Sequence, residues 1–217
     1  MNYAVIFDMD GVLLDSGPPH FRSWQLLARE NGLEMTETLF WESFGKTNDQ
    51  ILPLLFKRSL KAEESKRFSD RKEELYREII RGKVQPLPGL KKLIEDLAKP
   101  GMKLAVGSSG PRLNVELVIE ELGLGEYISS YTCAEDVTRG KPDPEVFIKA
   151  AKKLGIPPER CLVVEDSVHG IEAAMRAGMK CIAITTTNHR EVLSGAQKVI
   201  DSFEELKSED VMKILKS

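Results

Sequence analysis

From Gly89 onward, short apolar runs alternate with segments of helical period, and this alternation is the strongest constraint on what the chain can fold into. It is the pattern of parallel strands joined by crossover helices that cover both faces of a sheet. Strands are predicted over residues 4–7, 104–107, 131–134, 162–165, 181–185 and 198–200. Between them, Phe147, Ala150, Ala151 and Leu154 recur at helical spacing, with Asp143 as the predicted N-cap, Pro144 in the first turn and Gly155 as the stop. The segment from Val168 reads in the same way, capped by Ser167 and ended by Gly178.

The first strand stands apart, because between Asp15 and Gln85 nothing reads as a strand and the periodicity is helical throughout. The chain is therefore expected to divide into an α/β core, residues 1–15 and 86–217, and an inserted α-helical cap, residues 16–85. Proline and glycine mark both crossings, at Gly17-Pro18-Pro19 and at Pro86, Pro88 and Gly89. The first helix of the insert places Phe21, Trp24, Leu27 and Ala28 on one side and ends at Asn31-Gly32. A later helix, near residues 62–81, is dense in charge and reads as a solvated face.

The 217 residues suffice for a substantial core plus a smaller insert, and a composition of 41% hydrophobic and 30% charged residues excludes disordered and collagen-like classes. The net charge is −3, with 31 basic and 34 acidic residues well mixed, so no footprint for nucleic acid or an anionic membrane is expected. Cys133, Cys161 and Cys181 are far apart and form no CxxC pair, which predicts free buried thiols. The opening run Tyr3-Ala4-Val5-Ile6-Phe7 carries no basic leader, and no apolar run approaches the ~20 residues of a membrane span. A cytoplasmic location is expected, and the chain is expected to act as a monomer.

Chemistry enters at the strand ends. Phe7-Asp8-Met9-Asp10-Gly11 sets two carboxylates two residues apart after an apolar strand, projecting to one side, where the carboxyl edge of a parallel sheet forms a ligand crevice. Two such anions call for a cation. An EF-hand loop would need glycine at its sixth position, whereas Gly11 is fourth. Gly107-Ser108-Ser109-Gly110, just before a helix opening at Pro111, offers N–H groups and hydroxyls to a phosphate oxygen. Lys141, followed by Pro142-Asp143-Pro144, supplies an ammonium on stiffened backbone. Val163-Val164-Glu165-Asp166-Ser167 again ends an apolar strand in an acidic pair. The set predicts a Mg²⁺ site from Asp8, Asp166 and the Asp10 carbonyl, with Glu165 holding a coordinated water. Asp8 is the candidate nucleophile, Asp10 the acid and base, and Ser108, Ser109 and Lys141 the phosphate-binding groups.

In order along the chain, Asp8-Met9-Asp10-Gly11-Val12, Ser108, Lys141-Pro142-Asp143-Pro144 and Glu165-Asp166-Ser167 resemble the four motifs of the haloacid dehalogenase superfamily. The insert is similar to the cap of the subfamily that holds β-phosphoglucomutase and many sugar-phosphate phosphatases. The resemblance implies a Rossmann-like core, Mg²⁺ as cofactor and a small phosphorylated metabolite as partner. The dehalogenase branch lacks the second aspartate that Asp10 supplies. In the insert, Asp15, His20, Arg22 and Trp24 resemble the start of the mutase cap helix, and Phe44-Gly45-Lys46-Thr47-Asn48 resembles its specificity loop. Asn48 stands where the mutase has an arginine for a second phosphate, with Lys46, Arg77 and Lys83 as candidate replacements.

A phosphatase of small phosphorylated sugars or related metabolites, working through an aspartyl-phosphate, is the expected function, with a hexose-phosphate mutase as the alternative. A receiver-type signalling module is a third reading. Its acidic pair should precede the acceptor aspartate, and it needs neither Asp10 nor a large insert.

Overall fold

The computed structural model describes residues 3–217, which divide into two compact units, residues 16–83 and the remainder of the chain. The larger unit is built on a six-stranded parallel sheet. Its strands are β1 (Ala4–Phe7), β2 (Lys103–Gly107), β3 (Ile128–Thr132), β4 (Cys161–Glu165), β5 (Lys180–Ile184) and β6 (Lys198–Ile200), in the spatial order β3-β2-β1-β4-β5-β6. Every residue of β1 and β4 is buried, as expected of central strands covered on both faces. One apolar layer joins Ile6, Ala105 and Val163 to Phe147, Ala150, Ile171 and Ala174.

The helices in chain order are α1 (Gly17–Glu30), α2 (Glu37–Ser43), α3 (Asn48–Phe56) and α4 (Ala62–Ile80) in the smaller unit. The larger unit carries α5 (Leu90–Ala98), α6 (Arg112–Glu121), α7 (Glu145–Leu154), α8 (Val168–Arg176) and α9 (Ser208–Lys216). Helix α7 ends as expected at Gly155, which takes a left-handed conformation (φ 66°). It starts at Glu145, and Asp143 Oδ1 accepts from the Glu145 N–H at 3.0 Å, with Pro144 rather than Asp143 in the cap position. Ser167 caps α8 by accepting from Gly170 N–H at 3.0 Å.

Strand β3 starts three residues before its predicted span of 131–134 and ends at Thr132, and Cys133 leads instead into a 3₁₀ turn at Ala134–Asp136. The physical reason is its place at the sheet edge: half-buried, it carries Ser129 and Ser130 where a central strand would carry an apolar run.

The smaller unit contains no strand among the described residues. Trp24, Leu27, Ala28, Phe40, Leu52 and Phe68 form part of its apolar core. Phe40 meets Phe21 at 5.0 Å and Phe44 at 5.2 Å between ring centroids, and Phe56 stacks on Phe68 at 4.5 Å. The charged helix α4 departs from the solvated-face expectation, because Lys72 and Glu73 are only 3% and 8% exposed. All three cysteines are free and buried. Among the described residues no helix is long and apolar enough to cross a membrane.

Candidate active site

The strand order reverses direction at β1 and β4, and a parallel sheet opens its ligand crevice at the carboxyl end of such a point. The pairing of Phe7 with Val164, continued by the Asp8 N–H donating to the Val164 carbonyl at 2.9 Å, brings Asp8 level with Glu165 and Asp166. Asp8, Glu165 and Asp166 each place a carboxylate oxygen within 4.8 Å of the others, and all three residues are buried. After β1 the chain turns back sharply, with Leu13 N–H donating to the Met9 carbonyl at 2.8 Å and Gly11 in the left-handed region (φ 73°).

Lys141 is the cation of the cluster. Its Nζ donates to Asp8 Oδ1 at 2.6 Å and to Glu165 Oε1 at 2.7 Å, and it lies 4.8 Å from the Phe147 ring centroid. The Lys141-Pro142 peptide bond is cis. Glu165 is tied down further, since Oε2 accepts from the N–H groups of Asp166 and Ser167 and from the Ser167 hydroxyl, each at 2.9 Å. Ser108, at the end of β2, is buried, and its Oγ accepts from Gly110 N–H at 2.9 Å. Ser109 is exposed. A side chain on Gly110 would crowd Ser108 Oγ and the Met9 methyl group, each at 3.2 Å.

Three carboxylates against one ammonium leave this site short of positive charge. Burial pushes Asp8 up to about 7, with Lys141 pulling it down and Glu165 and Asp10 adding to the rise. Burial and the charges of Glu165 and Asp8 also hold Asp166 well above the usual carboxylate range. Glu165 goes the other way: burial opposes its ionisation, but Lys141 and the Ser167 donors outweigh it. Lys141 likewise loses hydration on burial, yet Asp8 and Glu165 hold it above the ordinary lysine value. A small hard cation fits such an all-oxygen, under-neutralised donor set.

Gly170 was not singled out in the sequence. A Cβ at that position would fall inside the Glu165 carboxylate, so the first turn of α8 accepts Glu165 only because residue 170 is glycine. Gly170→Ala is expected to cost about 2 kcal/mol, a typical overpacking penalty. Thermal melting reads this directly, and an unchanged Tm would mean that Glu165 does not rest against this turn. A glycine in the first turn of a capped helix was the available signal.

The remaining expected residues lie in the smaller unit. His20 is half-buried on α1, Trp24 is packed in the core, and Gly45, Lys46 and Thr47 are exposed in the turn before α3. The Thr47 N–H donates to Gln50 Oε1 at 3.1 Å, which starts α3. Lys46 and Lys83 are exposed, and the buried cation of this unit is Lys72. Its Nζ lies 2.8 Å from His20 Nδ1 and donates to Glu73 Oε1 at 2.9 Å, with the Trp24 and Tyr76 rings 5.5 and 5.4 Å away. Asn48 Nδ2 donates to the same Glu73 oxygen at 2.8 Å. Lys72 falls on the α4 stripe of Phe68, Leu75 and Tyr76, so a charge inside an apolar stripe was the missed signal.

Comparison with known proteins follows the same lines. A family profile described as haloacid dehalogenase-like hydrolase matches residues 4–178. The phosphorylated carbohydrates phosphatase of Thermotoga maritima is 31% identical, over 98% of this chain and 98% of its own length. The chloroplastic 5-amino-6-(5-phospho-D-ribitylamino)uracil phosphatase of Arabidopsis thaliana is 32% identical over 97% of this chain, which spans 57% of that protein's length. The crystal structure of β-phosphoglucomutase from Clostridium difficile superposes with a TM-score of 0.87 at 27% identity, covering 100% of this chain and 98% of that one.

Proposed function

Since the chain belongs to the haloacid dehalogenase-like hydrolase family, we propose that it is a Mg²⁺-dependent phosphatase of small phosphorylated carbohydrates, with Asp8 as nucleophile. The observation that carries this reading is Asp8 itself, buried at the carboxyl end of β1, bonded to Lys141 and flanked by Glu165 and Asp166.

An Asp8 carboxylate oxygen attacks phosphorus, the bond to the sugar oxygen breaks, and Asp10 gives its proton to that departing oxygen. Asp10, now ionised, takes a proton from water as the water attacks the aspartyl-phosphate, which releases inorganic phosphate and restores Asp8. The Ser108 hydroxyl and the Lys141 ammonium stabilise charge on the transferring group, and Glu165 anchors Lys141. Mg²⁺ held by Asp8, Asp166 and the Asp10 carbonyl, with Glu165 beside them, would neutralise the repulsion between Asp8 and the phosphate. Residues 16–83 serve as the cap that selects the substrate.

The mutase remains a second reading because a β-phosphoglucomutase shares the fold over the whole chain. Asn48 speaks against it. Its amide is neutral and committed to the Glu73 carboxylate, so it supplies no positive charge of the kind the mutase arginine offers a second phosphate. The test incubates the protein with Mg²⁺, β-glucose 1-phosphate and a trace of glucose 1,6-bisphosphate, following inorganic phosphate and glucose 6-phosphate together. Phosphate is expected to dominate, here or with another sugar phosphate, and glucose 6-phosphate rising much faster would make the enzyme a mutase.

A further inference from the structure

Asp166 is buried and fully engaged on one side by two residues that the motif pattern does not contain. Thr187 and Asn188 follow β5, the strand next to β4. The Thr187 hydroxyl donates to Asp166 Oδ2. The Asn188 side-chain amide donates to the Asp166 backbone oxygen at 3.0 Å and to Thr187 Oγ1 at 3.1 Å. An amide NH₂ can only donate, so the Asn188 bond fills a lone pair on Oγ1; the one hydroxyl proton has two acceptors in reach, the Asp166 backbone oxygen at 3.3 Å and the much nearer Oδ2, and the shorter contact assigns it to the carboxylate. A side chain on Gly11 would strike Asp166 Oδ2 and meet Thr187 Cγ2, so glycine at residue 11 leaves the room in which this pair meets.

We propose that Thr187, oriented by Asn188, is a positioning residue that fixes Asp166 in one orientation, with Oδ2 engaged and Oδ1 left to ligate the divalent cation. This rests on the reading of the acidic cluster as a cation site. Outer-shell partners of this kind typically change metal affinity 10–100-fold when removed, by way of the ligand's orientation and basicity.

The experiment titrates Mg²⁺ into the whole protein and into Thr187→Val, Thr187→Ser and Asn188→Ala, read by calorimetry and by the Mg²⁺-dependent rise in Tm. Valine keeps the shape of threonine and a methyl group against Gly11. Thr187→Val is expected to weaken Mg²⁺ binding by roughly 10–100-fold while its Tm in chelator stays near wild type. Thr187→Ser should bind close to the wild-type value, and Asn188→Ala should fall between. Wild-type affinity in Thr187→Val, or an equal loss in Thr187→Ser, would overturn the proposal, the second result assigning the effect to methyl packing. If Thr187→Val does not fold, Asn188→Ala decides by the same readouts, and wild-type affinity there overturns it. Failure of the wild-type protein to bind Mg²⁺ would instead remove the cation site itself, whether or not the protein hydrolyses phosphate esters.

Discussion

Asp8→Asn is expected to lower turnover of a sugar phosphate by on the order of 10⁴–10⁶, the range seen when a covalent nucleophile is removed. The amide keeps the size of the side chain but cannot form the acyl-phosphate, so substrate binding and folding should survive the change. A structural readout accompanies the kinetic one. In metal-free protein Asp8 holds its proton up to about 7, whereas an unfolded aspartate releases it near 4. Between those values the folded state binds more protons than the unfolded state, so stability present below about pH 4 is lost as pH rises toward 7. Asp8→Asn should make that decline shallower without erasing it, because Asp166 is raised as well. Turnover comparable to wild type would remove Asp8 from the reaction, and an unchanged pH dependence would contradict its burial.

Lys141→Ala is expected to damage stability and catalysis together. The ammonium bridges Asp8 and Glu165, and its side chain is 9% exposed. Removing it leaves two buried carboxylates facing each other and Asp166 without a cation, a defect of about 3–5 kcal/mol for a broken buried pair. The lower end applies, because Asp8 and Asp166 can take up protons. A loss near 3 kcal/mol corresponds to a Tm drop of roughly 6–12 °C for a protein of this size. Loss of a charge-stabilising donor should also reduce kcat by about 10²–10³. Added Mg²⁺ should recover part of the stability and little of the turnover, since it restores charge balance but not the lost donor. Thermal melts with and without Mg²⁺ separate the two, and a variant as stable as wild type would show that Lys141 is not the counter-ion of this cluster.

What the sequence by itself determined was local. The apolar runs of β1 and β4 and the acids that follow them, the Gly-Ser turn after β2, the Ser167 cap and the Gly155 stop each occupy a few neighbouring residues, and local backbone preferences suffice to read them. Where the pattern was weak, as in the serine-bearing edge strand β3, the reading slipped by a few residues. Tertiary structure decided which of these parts meet. Lys141 reaches Asp8 across 133 residues of sequence and Thr187 reaches Asp166 across 21, contacts that exist only because strand order and register bring those ends together. It also buried Lys72 and Glu73 inside a helix whose composition reads as solvated. A charged side chain is placed by the partners that offset its desolvation, and those partners, His20 and Asn48 for this pair, lie on other helices that no local pattern connects.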